Sequence, residues 1–154
     1  MVIYLIAHGD RENGPDPIHT PEGLKQIWSL SLPDGIGMVV SGTGKRFLEI
    51  LGIVLGKLPR APVVKYSPFC GGPEGFQGED DVILTDGRII NYHKEYIGVS
   101  NGPLDMWQFI ASLPDRTLLC AGGALMIGLG LKAINKKGHL FELDPVNKTG
   151  KIIA

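Results

Sequence analysis

An α/β domain of three layers, with helices on both faces of a mostly parallel sheet, is the fold class that the sequence predicts. Three observations point to it. Val2 to Ile6 is an unbroken apolar run rich in β-branched residues, as expected of a strand buried on both faces. Strand-like and helix-like periods then alternate along the chain, which implies right-handed crossovers between parallel strands. Three of the strands, ending at Ile6, Ser41 and Ala121, step directly into polar or glycine-bearing sequence, so their loops should meet at the carboxyl edge of the sheet, where such folds bind ligands. The 154 residues, 44% of them hydrophobic, suffice for one core and are few for two, so residues 1–154 are read as a single domain.

After the first strand, Thr20 is placed to cap a helix that begins at Pro21, carries Glu22 at its positive end and runs to about Leu30. Ile36 to Ser41 is the second strand. Lys45 to Leu55 is a helix with an apolar stripe of Phe47, Leu48, Ile50, Leu51, Val54 and Leu55. Val63 to Tyr66 is the third strand, and residues 68–80 form a loop rich in glycine, proline and acid, expected to be mobile. Asp86-Gly87 between two apolar runs, 82–85 and 88–91, predicts a hairpin with a type I′ turn. Asn101-Gly102-Pro103 opens a helix to about Leu113. Thr117 to Ala121 is a buried strand, Ala124 to Ile134 a helix, and His139 to Leu143 with Lys151 to Ile153 a closing hairpin around residues 147–150.

Fifteen basic and sixteen acidic side chains give a formal charge of -1, so there is no overall cationic field of the kind that draws nucleic acid or an anionic membrane. Cys70 and Cys120 have neither CxxC spacing nor the density of a disulfide scaffold, which favours free thiols and a cytoplasmic location. A buried thiol is the expectation for Cys120. The amino-terminal run lacks a basic leader and reads as a strand, not a signal peptide. The longest apolar stretch, Leu118 to Leu131, is too short for a bilayer and is interrupted by four glycines.

The residue best placed for chemistry is His8, at the end of the first strand and followed by Gly9, which lets a ligand approach the backbone. A lone histidine there is also compatible with a purely structural, hydrogen-bonded role. Its surroundings favour chemistry. Residues 5–26 resemble the opening of the histidine phosphatase (phosphoglycerate mutase-like) superfamily: a strand ending in Arg-His-Gly, then a loop, then a Leu-Thr-x-x-Gly helix start, written here as Ala7-His8-Gly9 and His19-Thr20-Pro21-Glu22-Gly23. Val39-Val40-Ser41-Gly42-Thr43-Gly44-Lys45-Arg46 is similar to the family's Val-x-Ser-Ser-Pro-x-x-Arg block. Leu118 to Gly123 is similar to the block that usually reads Ser/Thr-His-Gly-Gly. The short chain, the His-Gly-Asp variant and the closing hairpin resemble the small phosphohistidine phosphatase branch.

The resemblance implies a phosphoglycerate mutase-like fold and a reaction in which His8 attacks phosphorus while Arg46 holds phosphoryl oxygens, with no metal and no cofactor. It implies a phosphorylated small molecule or a phosphoprotein as the partner, and neither nucleic acid nor membrane. Gly9, Arg11, Asn13, Ser41, Gly122 and Gly123 form the expected substrate-binding set. The sequence departs from the pattern at two central positions: Ala7 replaces the first arginine, and Gly122 stands where a second histidine belongs. Arg11, Lys45 and His19 are the side chains that could compensate, each with a plainer role as a solvated or cap-proximal residue. Glu74, Glu79, Asp80 and Asp81 are candidates for a general acid within an acidic loop, and His93 and His139 are read as structural.

Two other motifs fail. Gly44-Lys45 lacks both the upstream glycine and the following Ser or Thr of a phosphate-binding loop, and Gly122-Gly123 is too little for a dinucleotide fingerprint. Two readings follow: a phosphatase working through a phosphorylated His8 with weakened activity, or an inactive relative that keeps a phosphate-binding crevice and serves as a binding or regulatory protein.

Overall fold

A computed structural model of the chain describes residues 1–71, 81–83, 89–91, 103–131 and 137–154. Six strands make its main sheet: β1 (Ile3–Ala7), β2 (Met38–Ser41), β3 (Val63–Tyr66), β6 (Thr117–Ala121), β7 (Leu140–Asp144) and β8 (Thr149–Ile152); β4 (Asp81–Ile83) and β5 (Ile89–Asn91) pair separately. Across the sheet the order is β3-β2-β6-β1-β7-β8. Strands β3, β2, β6 and β1 run parallel, and β7 and β8 close the sheet antiparallel. Every side chain of β1 and β6 is buried, as their unbroken apolar runs require.

The two faces of the sheet carry separate halves of the core. Ile3, Leu5, Leu119, Phe141 and Leu143 face α3 (Pro103–Ala111) and α4 (Gly123–Gly128), whose Met106, Ile110, Leu125 and Met126 are fully buried against them. Tyr4, Ile6, Val39, Leu118 and Cys120 face α1 (Pro21–Trp28) and α2 (Lys45–Lys57). This is the expected three-layer arrangement.

Helix α1 starts as its sequence predicts: the Thr20 side chain accepts a hydrogen bond from the Gly23 N–H at 3.1 Å. It stops at Trp28, short of Leu30, and the Lys57 ammonium at the end of α2 donates to the carbonyl of Trp28 (2.6 Å) and to that of Leu30 just beyond the helix.

Three expectations need correction. The buried arc of α2 is turned from the predicted stripe: Arg46 and Ile53 are buried, whereas Leu48 and Leu55 are each about 40% exposed. The helix rotates so that Arg46 and Phe47, in its first turn, lie over the strand ends. Helix α4 ends at Gly128 instead of Ile134, with Gly130 at φ +75°, a conformation open to glycine and costly for other residues. The second strand begins at Met38, two residues late, although Ile36 is still buried. The hairpin of residues 81–91 pairs antiparallel, with its turn outside the described residues, as are Glu74, Glu79, Asp80, His93 and most of the acidic loop.

Candidate active site

The parallel order β2-β6-β1 sets the ends of three strands side by side, and their loops are sewn together by main-chain bonds. The His8 N–H donates to the Ala121 carbonyl, the Gly42 N–H to Cys120, and the Thr43 N–H to Gly71. The loop after His8 then returns on itself. Glu12 N–H donates to the Ile18 carbonyl and Thr20 N–H to Asp10, so Arg11 and His19 pair across the loop. A close backbone contact makes this return possible. A Cβ on Gly9 would lie 2.9 Å from the Gly23 Cα, and one on Gly23 would overlap the Asp10 carbonyl oxygen outright. Gly23, one of the residues on which the family resemblance rests, thus seats the loop after His8 on α1.

His8 is partly buried at this junction. Its Nδ1 lies 2.8 Å from the Gly9 carbonyl oxygen, an acceptor only, so Nδ1 carries the hydrogen and Nε2 carries the lone pair. Burial, with the positive charge of Arg46 and smaller contributions from His19 and Arg11, lowers the His8 pKa from 6.5 to about 4 against the raising effect of the Gly9 bond. At neutral pH the imidazole is uncharged.

Arg46 is buried in the first turn of α2, with its guanidinium carbon 4.2 Å from the centre of the Phe47 ring. Its charge adds to the lowering of the pKa of both His8 and His19, for which burial is the larger cause. The Phe47 ring in turn meets His8 edge-on, with centroids 6.1 Å apart. It occupies space that the sequence leaves open: a Cβ on Gly122 would lie 3.1 Å from Phe47 Cζ and 3.6 Å from His8 Cδ2. An apolar ring from α2 therefore lies tightly against position 122, where the resembled pattern has a histidine.

The other predicted site residues separate into groups. Arg11 and Asn13 are exposed on the loop, and Arg11 acts on His8 only through its charge. The Ser41 hydroxyl is buried and donates to the Gly42 carbonyl at 2.8 Å, a bond that steadies the turn after β2. Gly123 begins α4 directly after Gly122. Lys45 is exposed, and its N–H donates to Asp16. Both thiols are buried, and burial pushes their pKa values up, so neither Cys70 nor Cys120 is a ready nucleophile. His139 hydrogen-bonds the Ala154 carbonyl. Among the described residues no helix is long and apolar enough to cross a membrane, and no cluster of His, Cys, Asp and Glu could hold a metal ion. A cleft of about 440 Å³ lies at the other end of β2, between Asp34 and Arg60, away from His8.

His19, which the sequence offered as a compensating or a solvated side chain, pairs with Glu49, a residue that sequence reading missed. His19 is 2% exposed, not solvated: its Nε2 accepts the Gly9 N–H at 2.9 Å, and its Nδ1 lies 3.0 Å from Glu49 Oε1, which also accepts the His19 main-chain N–H at 2.8 Å. Burial is the largest influence on its pKa, which is lowered despite Glu49. No local signal could have joined them. Glu49 is thirty residues away on a different element, facing α1 from the side of α2.

The fold these elements make is phosphoglycerate mutase-like. It is shared with the TTHB049 protein of Thermus thermophilus (18% identity, 94% of this chain and 93% of that one, TM-score 0.60) and with a phosphoglycerate mutase of the same organism (16%, 94% and 93%, 0.59). A protein of Escherichia coli K-12, named provisionally as an alpha-ribazole-5'-P phosphatase, matches over 99% of this chain and 95% of its own at 16% identity, with a TM-score of 0.60. At these identities the likeness is one of fold. No protein-family model matches the sequence, and neither does any curated protein.

The depressed pKa of His8 has a consequence for folding. Unfolded, the ring titrates near 6.5; folded, near 4. Between those values the unfolded chain binds more protons, so His8's contribution to stability is present above pH 6.5 and is lost as the pH falls towards 4. Its full size is on the order of 3 kcal/mol, reduced by the ring's partial exposure. Urea midpoints of the wild type and His8→Gln, measured at pH 7 and pH 4.5, are expected to show a larger acid loss in the wild type. Equal losses would mean that His8 titrates normally in the folded protein.

Proposed function

We propose that the chain is a weakly active phosphohydrolase of the histidine phosphatase kind. One observation carries this reading: the Gly9 carbonyl holds the Nδ1 hydrogen of His8, leaving a neutral Nε2 with its lone pair, within the electrostatic reach of the buried Arg46. In the reaction Nε2 attacks the phosphorus of a phosphomonoester or a phosphohistidine. A P–N bond to His8 forms as the bond to the leaving group breaks, and the leaving group takes its proton from solvent or a nearby acid. Water then attacks the phosphorus, releasing phosphate and restoring the imidazole. Arg46 balances the charge on the phosphoryl oxygens in both steps. The substrate is a phosphorylated small molecule or phosphoprotein in the cytoplasm, and neither nucleic acid nor membrane takes part. The phosphoryl-transfer names borne by the structural relatives add support.

The Phe47 ring against Gly122 favours a second reading, in which the crevice binds phosphate without turning it over. Rapid mixing with p-nitrophenyl phosphate at neutral pH separates the two. A burst of p-nitrophenolate, with acid-labile phosphate on the protein that is absent from His8→Ala, is the result expected of the enzyme. Identical rates from the two proteins, with no labile phosphate, would sink it; inorganic phosphate shifting the His8 ¹⁵N resonances without a burst would establish the second reading.

A further inference from the structure

We infer that His19 and Glu49 are positioning residues for His8, acting through the Gly9 peptide. This rests on the reading of His8 as the nucleophile. A single peptide unit and its neighbour link the groups: the Gly9 carbonyl accepts from His8 Nδ1, while the Gly9 N–H donates to His19 Nε2. A ring nitrogen that accepts a hydrogen bond carries no hydrogen, so the neutral His19 is fixed as the Nδ1–H tautomer, and that hydrogen points to Glu49 Oε1. Glu49 receives two bonds from one residue, the main-chain N–H and the ring of His19. The imidazole is therefore held at both ends, and it sets the orientation of Gly9.

The arrangement costs the protein something that a structural role alone does not explain. The His19 ring is buried, and the partly exposed Glu49 carboxylate is held against it. Between them they satisfy the main-chain N–H of His19 and that of Gly9, the residue whose carbonyl selects the tautomer of His8. Without its acceptor the Gly9 N–H would be orphaned at a contact too tight for water, because Gly9 lies against Gly23 and Gln26. The peptide would then turn to find another partner, and its carbonyl would leave Nδ1. Nε2 would no longer be the only nitrogen bearing the lone pair.

The test reads the tautomer and the chemistry separately. In ¹⁵N spectra of the wild type at pH 7, His8 is expected as the pure Nδ1–H form. His19→Leu is expected to show a mixture of tautomers and a burst rate lowered by about tenfold or more, with the KM for p-nitrophenyl phosphate little changed. His19→Gln, whose amide oxygen can accept from Gly9 while its NH₂ donates to Glu49, is expected to restore both. Glu49→Ala should resemble His19→Leu in weaker form, and it decides the matter if His19→Leu does not fold. A folded His19→Leu or Glu49→Ala protein that keeps the pure wild-type tautomer overturns the inference. If the wild type itself shows no burst, the phosphohydrolase reading fails, yet the tautomer measurement still decides the positioning role.

Discussion

Phe47→Ala is expected to destabilise the protein by about 3–5 kcal/mol, the usual loss for a fully buried aromatic side chain. Phe47 is 1% exposed, and its ring fills the space that Cβ atoms on Gly42, Gly71 and Gly122 would need, the last of them at 3.1 Å. Three backbone segments, following β2, the turn at Pro68–Cys70 and β6, thus close over one side chain, and its removal leaves them facing a void. The same geometry predicts coupling. In the wild type Gly122→His is crowded, because the new Cβ alone would press on Cζ and Cε1 of Phe47 at 3.1 and 3.2 Å, so that the ring must shift by a few tenths of an ångström. In the Phe47→Ala background the imidazole has the vacated space, so the double variant should be more stable than the sum of the single losses predicts. Urea unfolding of the four proteins measures this, and strict additivity would show that the ring and position 122 do not compete.

Arg46→Met is expected to lower the burst rate with p-nitrophenyl phosphate by roughly 10²–10³, the cost of removing one preorganised charge from a phosphoryl site. Methionine keeps much of the volume and can still pack on Phe47, so the fold should survive, which circular dichroism would check. A second readout comes from His8. Arg46 is one of the charges that hold the His8 pKa down, so the variant's imidazole should titrate at higher pH than the wild type's, while burial still keeps it below 6.5. A rate within threefold of the wild type would remove Arg46 from the phosphoryl site.

Much of this could be read along the chain, because local rules govern it. The unbroken apolar runs of β1 and β6 required burial on both faces, Thr20 and Pro21 specified a helix start, and the step from strand into His8-Gly9 marked the carboxyl edge. Helix α2 shows where such rules stop. Its period of apolar residues fixed that it is amphipathic, but the choice between Leu48 and Ile53 for the buried face depended on what Arg46 and Phe47 had to reach.

By itself the sequence determined the layers of the fold, the strand that presents His8 and the departures from the resembled pattern at Ala7 and Gly122. Tertiary structure alone decided that the Phe47 ring lies against Gly122, and that His19, paired with Glu49, accepts the N–H of Gly9 next to His8. Hydrophobic period and capping act within a turn or two, so composition and spacing reveal them. A contact between residues thirty apart, or an aromatic ring seated among three glycines, has no period; it exists only once separate elements are packed, and their packing sets which side chains share a space.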